Sequence, residues 1–232
     1  MSLSQPRIEH FSVLNHILVH ISGFLKAPED VILQASLQNF AKLTPHYPGV
    51  RAPLEPAVCR AWLDCLAPRL DQWFGPLGRP WEMQAWFSLV TTRPADLAPI
   101  QRLPHVDGTD PAQIAMMLYL HRPGPQSRQG GGTAFYRHRA TGLEALTAAD
   151  YPRYAAAVQA EVGRAGLPPA AYPTDGGPHF EQTHAVVGTF NSAVFYRGNI
   201  LHSGVIDNTA PLSADPLAGR LTINAFFRPA AA

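Results

Sequence analysis

The apolar pattern of the chain divides near residue 80. Residues 16–25 carry several β-branched side chains and Phe24, and Ala27-Pro-Glu-Asp30 then places a proline and two acids where a helix begins, which predicts strand, turn, helix. Apolar positions at Ile32, Leu33, Leu37, Phe40 and Leu43 extend that helix over 31–43 at near-helical spacing, up to the turn Thr44-Pro-His-Tyr-Pro-Gly49. A second helix is predicted from about Glu55 to Phe74, with Val58, Trp62, Leu66, Leu70 and Phe74 along one stripe and Pro68 as a kink or break. Together these form an N-terminal helical layer over about 26–75.

From Trp81 the pattern turns to short β-like runs separated by Gly, Pro and Asn, at 81–92, 112–121, 133–138, 183–190, 192–197, 200–206 and 220–228. Such a series suits a sandwich or barrel over about 81–228 better than alternating strands and helices. Gly198-Asn199 predicts a two-residue hairpin between neighbouring antiparallel strands. One helix interrupts the series: Thr147-Ala-Ala-Asp150 and Pro152 start it, Tyr151, Tyr154, Ala155, Val158 and Val162 make its stripe, and Gly166 ends it. With its flanks this insertion spans about 139–181, long for a strand connection. It reads either as a lid-like wall over a binding site or as a helix packed outside the sheet.

Composition narrows the classes. With 232 residues, 46% hydrophobic and 15% charged, the chain fits a single folded domain (1–232) with a full core rather than a disordered one. Eighteen basic against seventeen acidic residues leave a formal charge of +1, so neither nucleic acid nor a membrane surface is an expected partner. The start of the chain lacks a basic segment followed by an apolar one, and no apolar run is long enough to span a bilayer, which predicts a cytoplasmic protein. Cys59 and Cys65 lie in one predicted helix on different faces, against a disulfide or a zinc ribbon. The phosphate-binding Gly-rich loops, the Gly-x-Ser-x-Gly elbow, His-Glu-x-x-His and Cys-x-x-Cys are all missing.

Three elements remain that carry chemistry. In His105-Val-Asp107 an extended backbone puts both ligand-type side chains on one face, although such a triplet is weak by itself. His202 sits mid-strand in Asn199-Ile-Leu-His-Ser-Gly-Val-Ile206, and the next residue on its face is Gly204, a gap. Alone it reads as a hydrogen-bonded core histidine; joined to His105 and Asp107 it completes two imidazoles and a carboxylate. That set can hold a divalent metal on one triangular face and leave the other positions open. In Gly219-Arg-Leu-Thr-Ile-Asn-Ala-Phe-Phe227, Arg220, Thr222 and Asn224 alternate with apolar residues, and an inward arginine needs either a local acid or a bound carboxylate.

The order His105-Val-Asp107, Tyr119-Leu-His121, Gly131-Gly-Thr-Ala-Phe135, His202, Arg220-Leu-Thr222 resembles the Fe(II)/2-oxoglutarate-dependent dioxygenases, most closely their prolyl-hydroxylase-like branch. The likeness runs from about Trp81 to Arg228, and Ile17–Asp30 is similar to the opening of many members. It implies a mainly β fold with flanking helices, built on a double-stranded β-helix (jelly-roll, cupin-like) core. It further implies Fe(II) on His105, Asp107 and His202, O2 as oxidant, and 2-oxoglutarate as co-substrate. Arg220 would grip the far carboxylate of 2-oxoglutarate, with Thr222 and Tyr119 as hydroxyl donors to it. Two features depart from the pattern: His121 replaces the usual asparagine, and a long loop over Asn208–Gly219 separates Arg220 from His202. The activity implied is hydroxylation of a C–H bond in a small molecule, an amino acid or a peptidyl residue. A metal-bearing β-barrel that binds or senses a ligand without oxidising it would carry the same residues. Tyr136-Arg-His-Arg139 presents positive charge either to an acidic substrate or to solvent.

Overall fold

A computed structural model of the chain describes residues 7–13, 16–122 and 131–230, so part of the N-terminal segment behind the cytoplasmic expectation lies outside the described residues. The fold is mainly β with a few helices. In order come β1 (Arg7–Val13), β2 (His16–Ser22), α1 (Pro28–Ser36), β3 (Gly49–Pro53), α2 (Pro56–Phe74), β4 (Trp81–Val90) and β5 (Ile114–Tyr119). There follow β6 (Gly132–His138), α3 (Tyr151–Ala165), β7 (Phe180–Val187), β8 (Ser192–Arg197), β9 (His202–Gly204) and β10 (Leu221–Pro229).

The strands form two antiparallel sheets with open edges, one of seven strands ordered β1-β2-β8-β5-β10-β4-β3 and one of three ordered β7-β6-β9. Period-two alternation decides what each face of the large sheet meets. Met116, Leu118, Phe195 and Ile223 join one apolar cluster with Val31 and Ile32 of α1 and Trp62, Leu66 and Leu70 of α2. Their sequence neighbours Ala115, Tyr119, Val194 and Tyr196 face the other way and meet Phe135 and Val186 of the small sheet. Central strands such as β5 are therefore buried on both faces, which is why they read as continuous apolar runs.

Helix α2 carries the expected stripe, and Pro68 neither splits it nor ends it. Pro68 and Asp64, whose carbonyl loses its helical partner there, both lie on the exposed face, where water serves instead. Helix α1 is shorter than its apolar spacing suggests: it stops at Ser36 because Leu37 and Leu43 face solvent, and the chain turns to pair Ala41 with Arg51. The resulting strand β3, like β1, went unread in the sequence. Helix α3 has the expected limits and packs through Tyr154 beside Tyr136 and Phe180 of the small sheet.

The expected hairpin at Gly198-Asn199 does not form. A turn is present, with the Ile200 N–H donating to the Arg197 carbonyl at 3.1 Å, but β8 and β9 part into different sheets. Both edges of β8 are already taken by β2 and β5, so β9 pairs with β6 instead.

Gly132 sets the position of β6. Its φ is +145°, and a Cβ there would stand 2.1 Å from the Val186 carbonyl oxygen of β7. Only glycine permits that approach and that backbone. Gly132→Ala is expected to lower stability by at least about 2 kcal/mol, roughly a 4–8 °C drop in Tm, read by thermal unfolding. An unchanged Tm would mean the β6–β7 pairing can shift without penalty.

Candidate metal centre

The segment before β5 meets β9 through a reciprocal pair of backbone hydrogen bonds: His105 N–H donates to the His202 carbonyl at 2.9 Å, and His202 N–H to the His105 carbonyl at 2.8 Å. Two rungs on, Asp107 N–H donates to the Gly198 carbonyl at 2.8 Å. Strand periodicity then sends Val106 toward the apolar cluster under the small sheet, and His105 and Asp107 toward His202. Ligand atoms from His105, Asp107 and His202 lie within 4.8 Å of one another. His202 Nε2 is 3.5 Å from Asp107 Oδ2, and His105 Nε2 is 3.9 Å from Asp107 Oδ1.

His202 is buried, and its Nδ1 lies 2.9 Å from the Ile200 carbonyl. A carbonyl can only accept, so Nδ1 carries the proton and Nε2 presents its bare lone pair to the site. Tyr196 stands edge-on to the ring at 4.8 Å between centroids, and the His105 ring is 4.5 Å away. Burial holds His202 down to about 4, against the opposing bond to Ile200. The His105 side chain is half exposed and lines the cavity described below. Burial, and then repulsion by His202, push it down to about 4. Burial pushes Asp107 up to about 6, opposed by His105, Arg51 and Arg228. Two neutral imidazoles beside a buried carboxylate form a set that a divalent cation completes, and no lysine or arginine lies within ion-pair distance of Asp107 among the described residues.

These residues sit in a cavity of about 470 Å³ between the sheets. Arg220, which precedes β10, lines the same cavity. Its Nη2 donates to the Gly132 carbonyl at 3.1 Å, its Nε is buried without a hydrogen-bond partner, and no described acid pairs with it. A Cβ on Gly204 would lie 3.8 Å from Arg220 Nη2, so the gap beside His202 opens toward this guanidinium. Thr222 and Tyr119 are register partners on β10 and β5, and both are fully buried behind the cavity wall. The Tyr119 hydroxyl shares a 2.7 Å hydrogen bond with Thr133 Oγ1, and it is Thr133 that lines the cavity. Thr222 Oγ1 donates to Asn224 Oδ1 at 2.9 Å. The structure thus brings His105, Asp107, His202 and Arg220 into one cavity and leaves Tyr119 and Thr222 one layer behind its lining.

Sequence reasoning missed Arg51 and Tyr47, which also line the cavity, because Thr44–Gly49 reads as a turn. The legible signal was Val50-Arg51-Ala52 between Pro48 and Pro53, a short strand with a guanidinium on it. Of the 139–181 insertion, Tyr172 lines the cavity while α3 packs away from it. Tyr172 is tied down three ways: its hydroxyl donates to the Thr92 carbonyl at 2.6 Å, its N–H to Asn208 Oδ1 at 2.7 Å, and its carbonyl accepts from Asn208 Nδ2 at 3.2 Å.

Among the described residues no helix is long and apolar enough to cross a membrane. No protein of curated function matches the sequence. Among solved structures, HygX from Streptomyces hygroscopicus with nickel and 2-oxoglutarate bound is 12% identical, with a TM-score of 0.55 over 91% of this chain and 82% of that one. Its iron-bound form gives 0.51 at the same identity and coverage. A Pseudomonas putida prolyl-4-hydroxylase is 16% identical, with a TM-score of 0.48 over 92% and 93%. The shared feature is the fold. The sequence itself matches a family profile over residues 4–227, and the chain belongs to that family, DUF6445, a family of unknown function.

Proposed function

We propose that the protein is an Fe(II)- and 2-oxoglutarate-dependent dioxygenase that hydroxylates a C–H bond of a small molecule, an amino acid or a peptidyl residue. The observation that carries this reading is the convergence of His105, Asp107 and His202 on a cavity that also holds an unpaired arginine, Arg220. His105, Asp107 and His202 hold the metal, and Arg220 holds the far carboxylate of 2-oxoglutarate. Bound together, iron and 2-oxoglutarate supply O2 activation coupled to release of succinate and CO2. Tyr119 and Thr222 act on the co-substrate through the groups in front of them, Tyr119 by orienting the Thr133 hydroxyl. The jelly-roll likeness of the two sheets and the helices stacked on the larger one support the same reading. Ile206 and Phe226 give the cavity part of an apolar lining.

The test is turnover. Protein supplied with Fe(II), O2 and 2-oxoglutarate is expected to release succinate, and to stop when iron is chelated. His202→Ala should abolish both stoichiometric metal binding and succinate release. Stoichiometric binding of metal and 2-oxoglutarate without consumption, across all candidate substrate classes, would instead favour a ligand-binding barrel.

Loss of Arg220 removes charge-assisted hydrogen bonds of about 1.5–3 kcal/mol. Arg220→Gln is therefore expected to weaken 2-oxoglutarate binding about tenfold or more in calorimetric titration of the Mn(II)-loaded protein, with metal affinity retained. An affinity within twofold of wild type would remove Arg220 from this role.

Metal affinity should depend on pH with a definite sign. The metal needs Asp107 ionised, and Asp107 binds a proton below about 6. Affinity is then flat above about pH 7 and falls about tenfold per pH unit below 6, as proton and metal compete. The histidines, held near 4, join only at lower pH. A competitive chelator titration across pH 5–8 reads this; a break governed by an ordinary carboxylate, near pH 4, would contradict it.

A further inference from the structure

Metal and co-substrate leave one cation of the cavity unused. Arg51 lies on β3 and faces the space that contains His105, Asp107 and His202. Its guanidinium carbon is 4.0 Å from the centre of the Tyr47 ring and 5.9 Å from that of Trp86, so two aromatic faces hold it in place. Its Nε is buried without a hydrogen-bond partner, and no described acid forms an ion pair with it. Building on the dioxygenase reading above, we infer that Arg51 receives an anionic oxygen group of the primary substrate, a carboxylate or a phosphate, and so sets the substrate class.

Sheet register separates this cation from Arg220. Arg51 pairs with Ser88 of β4, and Ser88 pairs with Thr222 of β10. The backbones that carry the two arginines are thus two strands apart, roughly 10 Å. Arg51 stacks on Tyr47 while Arg220 donates to the Gly132 carbonyl, so different partners hold the two guanidiniums and each offers its own anion site. Asp107, the carboxylate whose field reaches Arg51, is committed to the metal once the site is loaded. A partly buried, planar, five-donor cation is then left without a counter-charge, and a carboxylate or phosphate fits it in the bidentate manner. Val90, Ile100 and Ile206 line the cavity together with the polar Thr44, His46, Gln101 and Asn224. The matching substrate carries an anionic end.

Benzoate, phenyl phosphate and benzamide serve as probes, titrated calorimetrically into the protein already holding Mn(II) and 2-oxoglutarate. At least one of the two anions is expected to bind saturably, and the neutral amide not to. Whichever anion binds more tightly identifies the group. Arg51→Gln should weaken anion binding about tenfold or more, Arg51→Lys should keep part of it, and both variants should bind 2-oxoglutarate within about twofold of wild type. The inference is overturned if neither anion binds better than benzamide, if Arg51→Gln binds the anion as wild type does, or if Arg51→Gln weakens 2-oxoglutarate itself. Failure of the wild-type protein to take up Mn(II) and 2-oxoglutarate, seen before any probe is added, would instead sink the dioxygenase reading.

Discussion

The reciprocal backbone hydrogen bonds between His105 and His202 are the constraint on which the site rests. They join an irregular segment ahead of β5 to the three-residue strand β9, whose other edge is fixed by the pairing of His202 with Phe135. Main chain therefore sets the spacing of the two imidazoles, and the side chains inherit it. Asp107 follows because its own N–H continues the same ladder onto Gly198. The electrostatics come from the same enclosure. Burial keeps both rings neutral and penalises the carboxylate, so the folded protein carries a strained charge pattern that a divalent cation relieves.

The cavity walls repeat this logic with the opposite sign. Arg220 and Arg51 are brought inward by strands on either side of β4, each with a buried Nε that no described residue satisfies. A guanidinium is expensive to desolvate, and local carboxylates are the usual compensation. Here that compensation is absent among the described residues for both. In the proposed reading Asp107 serves a metal and the two arginines serve bound anions, and both sets line one space between the sheets.

Much of this was legible in the sequence where local pattern and tertiary environment agree. The short β-like runs found the strands from Trp81 onward because those strands are buried on one or both faces, and the stripe through Trp62, Leu66 and Leu70 found α2 because its face packs on the large sheet. His105 and Asp107 could be grouped because extended backbone fixes which residues share a face, and His202 joined them through the ligand chemistry of the set and the motif order of the family it resembles. The hairpin at Gly198-Asn199 misled because turn chemistry is local while strand pairing depends on whether an edge is free. The extension of α1 to Leu43 misled because apolar spacing cannot reveal that Leu37 is 82% exposed. Arg51 was hidden by its setting: a five-residue strand bounded by prolines has too few positions to show a period. Tyr119 and Thr222 share a register on adjacent strands, yet only the packing of the second sheet decides that Thr133 stands in front of Tyr119.

The strand order has a consequence for how the chain acquires this structure. In the large sheet the early strand β2 lies against the late strand β8, and the last strand, β10, is interior between β4 and β5. No contiguous stretch of polypeptide can assemble the sheet by itself. During synthesis the β4–β10 and β10–β5 rows of hydrogen bonds must wait for β10 to emerge, and until then the facing apolar edges of β4 and β5 stand open to other chains. Such a layout, dominated by distant pairings, favours slow folding and makes the nascent chain dependent on protection from aggregation.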